Sequence, residues 1–225
     1  MIYLSPNMSS DILQEKDNTI YANCMAELKG RLNKVKKLLD KNFSMDIFLL
    51  EFICLQFRKI CELFAFGTLI ASKDLYKQVR KDFGNDWNFS RILETVKKIN
   101  PRYFPKPLKY EGNKKFMAIT NDFLLQKDII AIYNECSNMI HAQNHFKDLK
   151  NFYPNNDKER DGWTNKFKEW KNKFIRLFNC HTIGVKTNSY TKFFIAFLYI
   201  DNSNKNPQII TADLLSQKIH RLHQI

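Results

Sequence analysis

Apolar residues recur along much of the chain with the period of an α-helix. Met25, Leu28, Leu32, Val35 and Leu39 step by 3, 4, 3 and 4 residues, which places them on one face of a helix. The spacing predicts a helix over 20–41, with Lys29, Asn33, Lys36 and Lys37 elsewhere on its surface. Further on, Phe48, Leu49, Phe52, Ile53, Phe57, Ile60, Phe64 and Leu69 occupy most of a helical circumference. A helix apolar nearly all round belongs at the centre of a bundle. A second helix is therefore expected over 46–81, capped by Ser44 or Asp46 and bent near Gly67. Asn88 and Ser90 are candidate caps for a shorter third helix ending near Asn100.

Pro101, Pro105 and Pro107 then forbid helix and predict an extended connection. A small hairpin is expected over 109–119, around Glu111, Gly112 and Asn113. Leu125, Ile129, Ile132, Cys136 and Met139 step by 4, 3, 4 and 3 and predict a fourth helix over 122–142. The polar stretch 151–162, with Pro154, reads as a loop. Trp163, Phe167, Trp170, Phe174 and Leu177 repeat the same steps and predict a fifth helix over 163–180.

The pattern changes after His181. The β-branched and aromatic run at 191–200 predicts a strand, paired with 208–211 across a turn at 202–207 and followed by a short helix from Asp213. The expected fold is mainly α: a bundle of about five helices with a small C-terminal β element. Its organisation is a polar lead-in at 1–19, a helical domain at 20–181 and a hairpin appendage at 182–225. No internal repeat interrupts this order.

Composition narrows the class. With 225 residues, the chain is long enough for one domain with a substantial core. Phe contributes 19 residues against 6 Gly and 6 Pro, a globular rather than disordered balance. The five cysteines, Cys24, Cys54, Cys61, Cys136 and Cys180, are odd in number and none has C-x-x-C spacing. A disulfide framework or zinc ribbon is therefore not expected, and a reducing compartment, the cytoplasm, is. Met1–Ser10 lacks the basic and apolar regions of a signal peptide. The most apolar span, 47–71, carries Glu51, Arg58, Lys59 and Glu62, which is unlike a membrane helix. No membrane association is expected.

The formal charge of +13 favours acidic partners, whether nucleic acid, anionic membrane or an acidic protein, without choosing among them. A lysine-rich solvated surface has the same composition. Lys166, Lys168, Lys171, Lys173 and Arg176 crowd the fifth helix among its aromatics. Such a mixture suits RNA through phosphate contacts and stacking. The aromatics also follow core spacing, which leaves the cations as a solvated face.

Candidate chemistry concentrates at the end of the fourth helix. Asn134, Asn138, His141 and His145 lie 4, 3 and 4 residues apart and form a polar stripe. Histidine titrates near neutral pH and serves as a general acid or base. The stripe fits either a catalytic surface or an ordinary solvent-facing one. His141 and His145 could share a metal across one turn, but the sequence HAQNH lacks the glutamate of a zinc-protease motif and no third ligand is evident. His220 and His223 make a weaker pair still. No metal or other cofactor is expected. Walker, Rossmann-glycine and G-x-S-x-G patterns are missing from the sequence.

A long apolar helix containing Arg58, and a later helix ending in Ser137-Asn138-Met139-Ile140-His141, resemble the HEPN superfamily. The resemblance implies a helical bundle, and for many members a metal-independent ribonuclease of toxin–antitoxin or phage-defence systems. The family motif is an arginine followed at short distance by a histidine. Here the arginine slots upstream of His141 hold Asn134, Glu135 and Cys136. The resemblance implies roles for His141 as acid/base group, Asn138 as positioning group and Arg58 as substitute cation. The alternative is a catalytically inactive module that binds a protein partner or a second copy of itself.

Overall fold

The computed structural model describes residues 12–41, 45–79, 87–113, 115–141, 154, 156–186, 190–200, 202 and 204–215. Among them lie six helices: α1 (Ile12–Asp40), α2 (Ile47–Ala71), α3 (Lys73–Val79), α4 (Phe89–Ile99), α5 (Gln126–Ile140) and α6 (Asp157–Phe178). Five strands complete the described fold: β1 (Lys106–Tyr110), β2 (Phe116–Ala118), β3 (Cys180–Lys186), β4 (Tyr190–Phe197) and β5 (Gln208–Leu215).

α2 is the hub. Asp46 caps its first turn, accepting from the Leu49 amide at 2.8 Å. The Phe57 ring meets Phe167, Trp170 and Phe174 of α6 at 5.5–5.8 Å. Gln56 accepts from Arg31 of α1 at 2.9 Å, and the Cys61 thiol donates to the Ile129 carbonyl of α5 at 3.7 Å. Helices therefore pack on several sides of it. The apolar stripe of α1, from Met25 to Leu39, is buried throughout, and each such side chain is worth roughly 1.5–3 kcal/mol of transfer free energy.

The single helix expected over 46–81 breaks at Ser72 instead of bending at Gly67. Gly67 has a different role: a Cβ there would stand 2.9 Å from the Met25 methyl, so α1 and α2 approach closely and a larger residue would make the end of that flexible side chain shift. Ser72 is fixed by Asn100, whose side-chain amide donates to Ser72 Oγ and to the Gly184 carbonyl, each at 3.0 Å. α1 begins at Ile12, so 12–19 is helical and not a lead-in. α6 begins at Asp157, capped by Asn156, so it takes up the end of the expected loop. The short helix expected from Asp213 does not start there: residues 213–215 continue β5, paired with 190–192 of β4, and the rest of that expected helix lies outside the described residues.

The β part is larger than the small C-terminal element that periodicity suggests. The sheet runs β2-β1-β3-β4-β5 with every neighbouring pair antiparallel. Lys106 and Pro107 pair with Thr182 and His181. That link joins the mid-chain hairpin to the C-terminal strands in one ladder. The division expected at 181/182 falls inside β3. Ile183, Val185 and Phe194 share the main helical core, while Leu108, Phe116, Cys180 and Ile195 form a second cluster. Among the described residues no helix is long and apolar enough to cross a membrane.

Candidate functional site

α5 buries Ile129, Ile132, Cys136 and Met139 and turns Asn134 and Asn138 to solvent. This follows from the two interleaved stripes in its sequence. His141 is the exposed C-cap residue, its amide donating to the Ser137 carbonyl at 3.1 Å. Asn138 and His141 thus share an open surface at the helix end. His145 lies outside the described residues, as do His220 and His223.

Arg58 reaches α5, but at its middle. Its Nε donates to Glu62 at 3.2 Å, and its guanidinium stands 5.5 Å from the Tyr133 ring centroid. Phe89 of α4 stacks on Tyr133 at 4.1 Å. α2 and α5 run antiparallel, with Cys61 at Ile129 and Cys54 at Cys136. Tyr133 precedes His141 by eight residues, about 12 Å along the axis at about 1.5 Å per residue. The structure therefore places Asn138 and His141 on the same end of α5 and leaves Arg58 about two turns from His141. Level with the His141 end, α2 presents Phe48, which is 76% exposed, and Phe52 and Leu55, at 40% and 38%.

The cations of α6 separate. Its aromatic spine is core: Phe167, Trp170 and Phe174 are buried. Lys166 is ion-paired with Glu135 of α5 and lies over the Trp163 ring at 4.7 Å. Lys168 is exposed and Lys171 half-buried, neither with an ion pair among the described residues. Lys173 pairs with Glu169 at 2.6 Å, and Arg176 with Asp122 at 2.7 Å. The hydrogen bond from Lys173 to Glu169 holds the ammonium above the usual lysine range.

Lys173 and Arg176 line a groove of about 700 Å³ between α6, the β1 hairpin and the end of β4. This size falls among ordinary ligand sites, which span about 300–1,000 Å³. Its other side is aromatic. Tyr110 is half-exposed and meets Phe197 edge-on at 5.8 Å. Phe197 stacks on Tyr199 at 5.9 Å, and Lys205 covers the Tyr199 ring at 3.7 Å. Cys180 also borders the groove, but burial pushes its thiol up to about 12. A thiol held neutral is a poor nucleophile, so Cys180 is not set up for thiolate chemistry.

The sequence points to the helical half of this groove through Lys173 and Arg176. It does not point to Tyr110, Phe197 or Tyr199. The local signal for Tyr110 is its position beside Lys109 at the hairpin. For the other two, no signal exists without the strand register that places them beside it. Among the described residues no three His, Cys, Asp or Glu side chains converge as metal ligands would. Comparison of the chain with protein-family models, curated proteins and solved structures finds no match.

Proposed function

We propose that the protein is RNA-associated, HEPN-like in build, and that it holds RNA on the α6 side of the molecule. The observation that carries this reading is the groove in which Lys173 and Arg176 face an aromatic wall. Phosphate contacts fix a nucleic acid strand and aromatic surfaces accept its bases. The excess of positive charge supplies long-range attraction. Binding without cleavage is the activity that the arrangement within one chain supports best. Arg58, the candidate cation for stabilising a transferring phosphoryl group, does not stand beside His141. Arg58 is engaged by Glu62 and Tyr133 two turns away.

The test is a mobility-shift assay of labelled RNA at low salt. Wild-type protein should bind, and Lys173→Ala/Arg176→Ala should bind several-fold more weakly at unchanged melting temperature. Wild-type protein that shifts no RNA rejects the proposal. His141→Ala should leave binding unchanged. RNA cleavage by the wild type, lost in His141→Ala at unchanged stability, would move the assignment to a metal-independent ribonuclease.

A second reading has its own observation. Phe48, Phe52 and Leu55 expose an apolar stripe at i, i+4 and i+7 on α2, and such stripes mark helix-in-groove contacts. On this reading the chain is an interaction module. Phe48→Glu/Phe52→Glu should then abolish a self-association or partner complex seen by sedimentation. Unchanged sedimentation at all concentrations counts against it.

A further inference from the structure

We infer that the groove between α6 and the β1 hairpin receives one unstacked base of single-stranded RNA on the Tyr110 ring, with the adjoining phosphate at Arg176. This rests on the RNA reading above and deepens it by naming the form of nucleic acid.

The Tyr199 ring is already engaged by Phe197, stacked on it, and by the Lys205 ammonium. Phe116 is buried. Tyr110 meets Phe116 and Phe197 at a tilt and edge-on, and half of its surface remains exposed at the mouth of the groove. It is the aromatic platform of the groove wall with room for a further planar group. A base stacks on such a ring without sequence preference, because every base has a π-face.

The facing α6 wall offers hydrogen bonds of both kinds. Asn172 is exposed, and its amide both donates and accepts. Glu169 accepts, while Lys173 and Arg176 donate. Base edges also mix donors and acceptors, so this wall matches them. An acidic peptide would bring its carboxylates against Glu169 and Asp122, which repel them, and would leave the Tyr110 face unfilled. Arg176 uses Nη1 for Asp122, and its guanidinium fork carries further donors for a phosphate. Lys109, next to Tyr110, is 71% exposed at its side chain and adds a second cation at the rim. A duplex keeps its bases stacked and cannot offer one to Tyr110.

The experiment is fluorescence anisotropy with a labelled ten-nucleotide RNA, single-stranded and annealed to its complement, at low salt. Wild-type protein should bind the single strand more tightly than the duplex. Tyr110→Ala should weaken single-strand binding about tenfold, as loss of one stacked base does, and leave duplex binding unchanged. Tyr110→Phe, which keeps the ring and its packing on Phe116, should restore it. Equal losses for both RNA forms, or single-strand binding indifferent to Tyr110→Ala, would overturn the groove assignment and leave RNA association standing. Binding of neither RNA by the wild type would remove both. Melting temperatures of the two variants identify a folding defect, and rescue by phenylalanine must hold for the inference to survive.

Discussion

His181 is the residue whose role is most unlike its apparent chemistry. It is fully buried, with Nδ1 3.0 Å from the Phe178 carbonyl and Nε2 2.8 Å from the Tyr21 hydroxyl. A carbonyl only accepts, so Nδ1 carries the proton and neutral Nε2 accepts from Tyr21. The ring ties β3 to α1 and is no acid/base group, because burial lowers its pKa to about 4. The consequence for stability has a definite sign. The unfolded chain takes up a proton near pH 6.5 and the folded chain does not until about pH 4. Stability from this residue is therefore present above pH 6.5 and lost as pH falls towards 4. Between pH 7 and 5 the loss is about 2 kcal/mol. Urea unfolding of wild type and His181→Gln at both pH values checks it: the wild-type curve should fall further than that of the variant, and parallel curves contradict the assignment. Asn100 acts at the same scale. Fully buried, it joins Ser72, Gly184 and the Arg102 amide. Asn100→Ala should destabilise by about 1–3 kcal/mol, measured as a shift in urea midpoint at unchanged slope.

Among the elements, α2 decides how the rest is arranged. Its amides from Phe57 to Phe64 should exchange hydrogen most slowly in the molecule, since neighbouring helices cover them. Fast exchange through that span would contradict a central α2. This hub was legible in the sequence because a helix with apolar residues around most of its circumference belongs against several neighbours, although Phe48, Phe52 and Leu55 of α2 stay exposed. The stripes of α1, α5 and α6 were equally plain, their 3-and-4 steps running along buried faces except at Leu125, the exposed N-cap of α5, and the half-buried Trp163. The sheet was less legible for physical reasons. β3 is a short strand that starts shortly after α6 and is buried at all but its last position. It shows no alternation to read. β1 contains Pro107, which reads as a breaker until the ladder shows it paired with His181. The break at Ser72 was hidden because it depends on Asn100, 28 residues away. The candidate groove was half visible for the same reason: α6 supplies its cations in a local run, whereas Tyr110 and Phe197 reach it through strand pairing.

For the whole molecule, charge and shape point the same way, and the account stands on whether RNA is held by the cations that line the groove. Phosphate binding by lysine and arginine releases counterions, so the logarithm of affinity falls linearly with that of salt concentration, by about 0.7 per phosphate contacted on a single strand. The most direct measurement is the affinity of the full chain for a single-stranded RNA across a salt series, repeated with Arg176→Ala. Measurable binding at low salt is expected, with a slope shallower by about 0.7 when one phosphate contact is removed. Affinity indifferent to salt, or no binding even at the lowest salt, would contradict it.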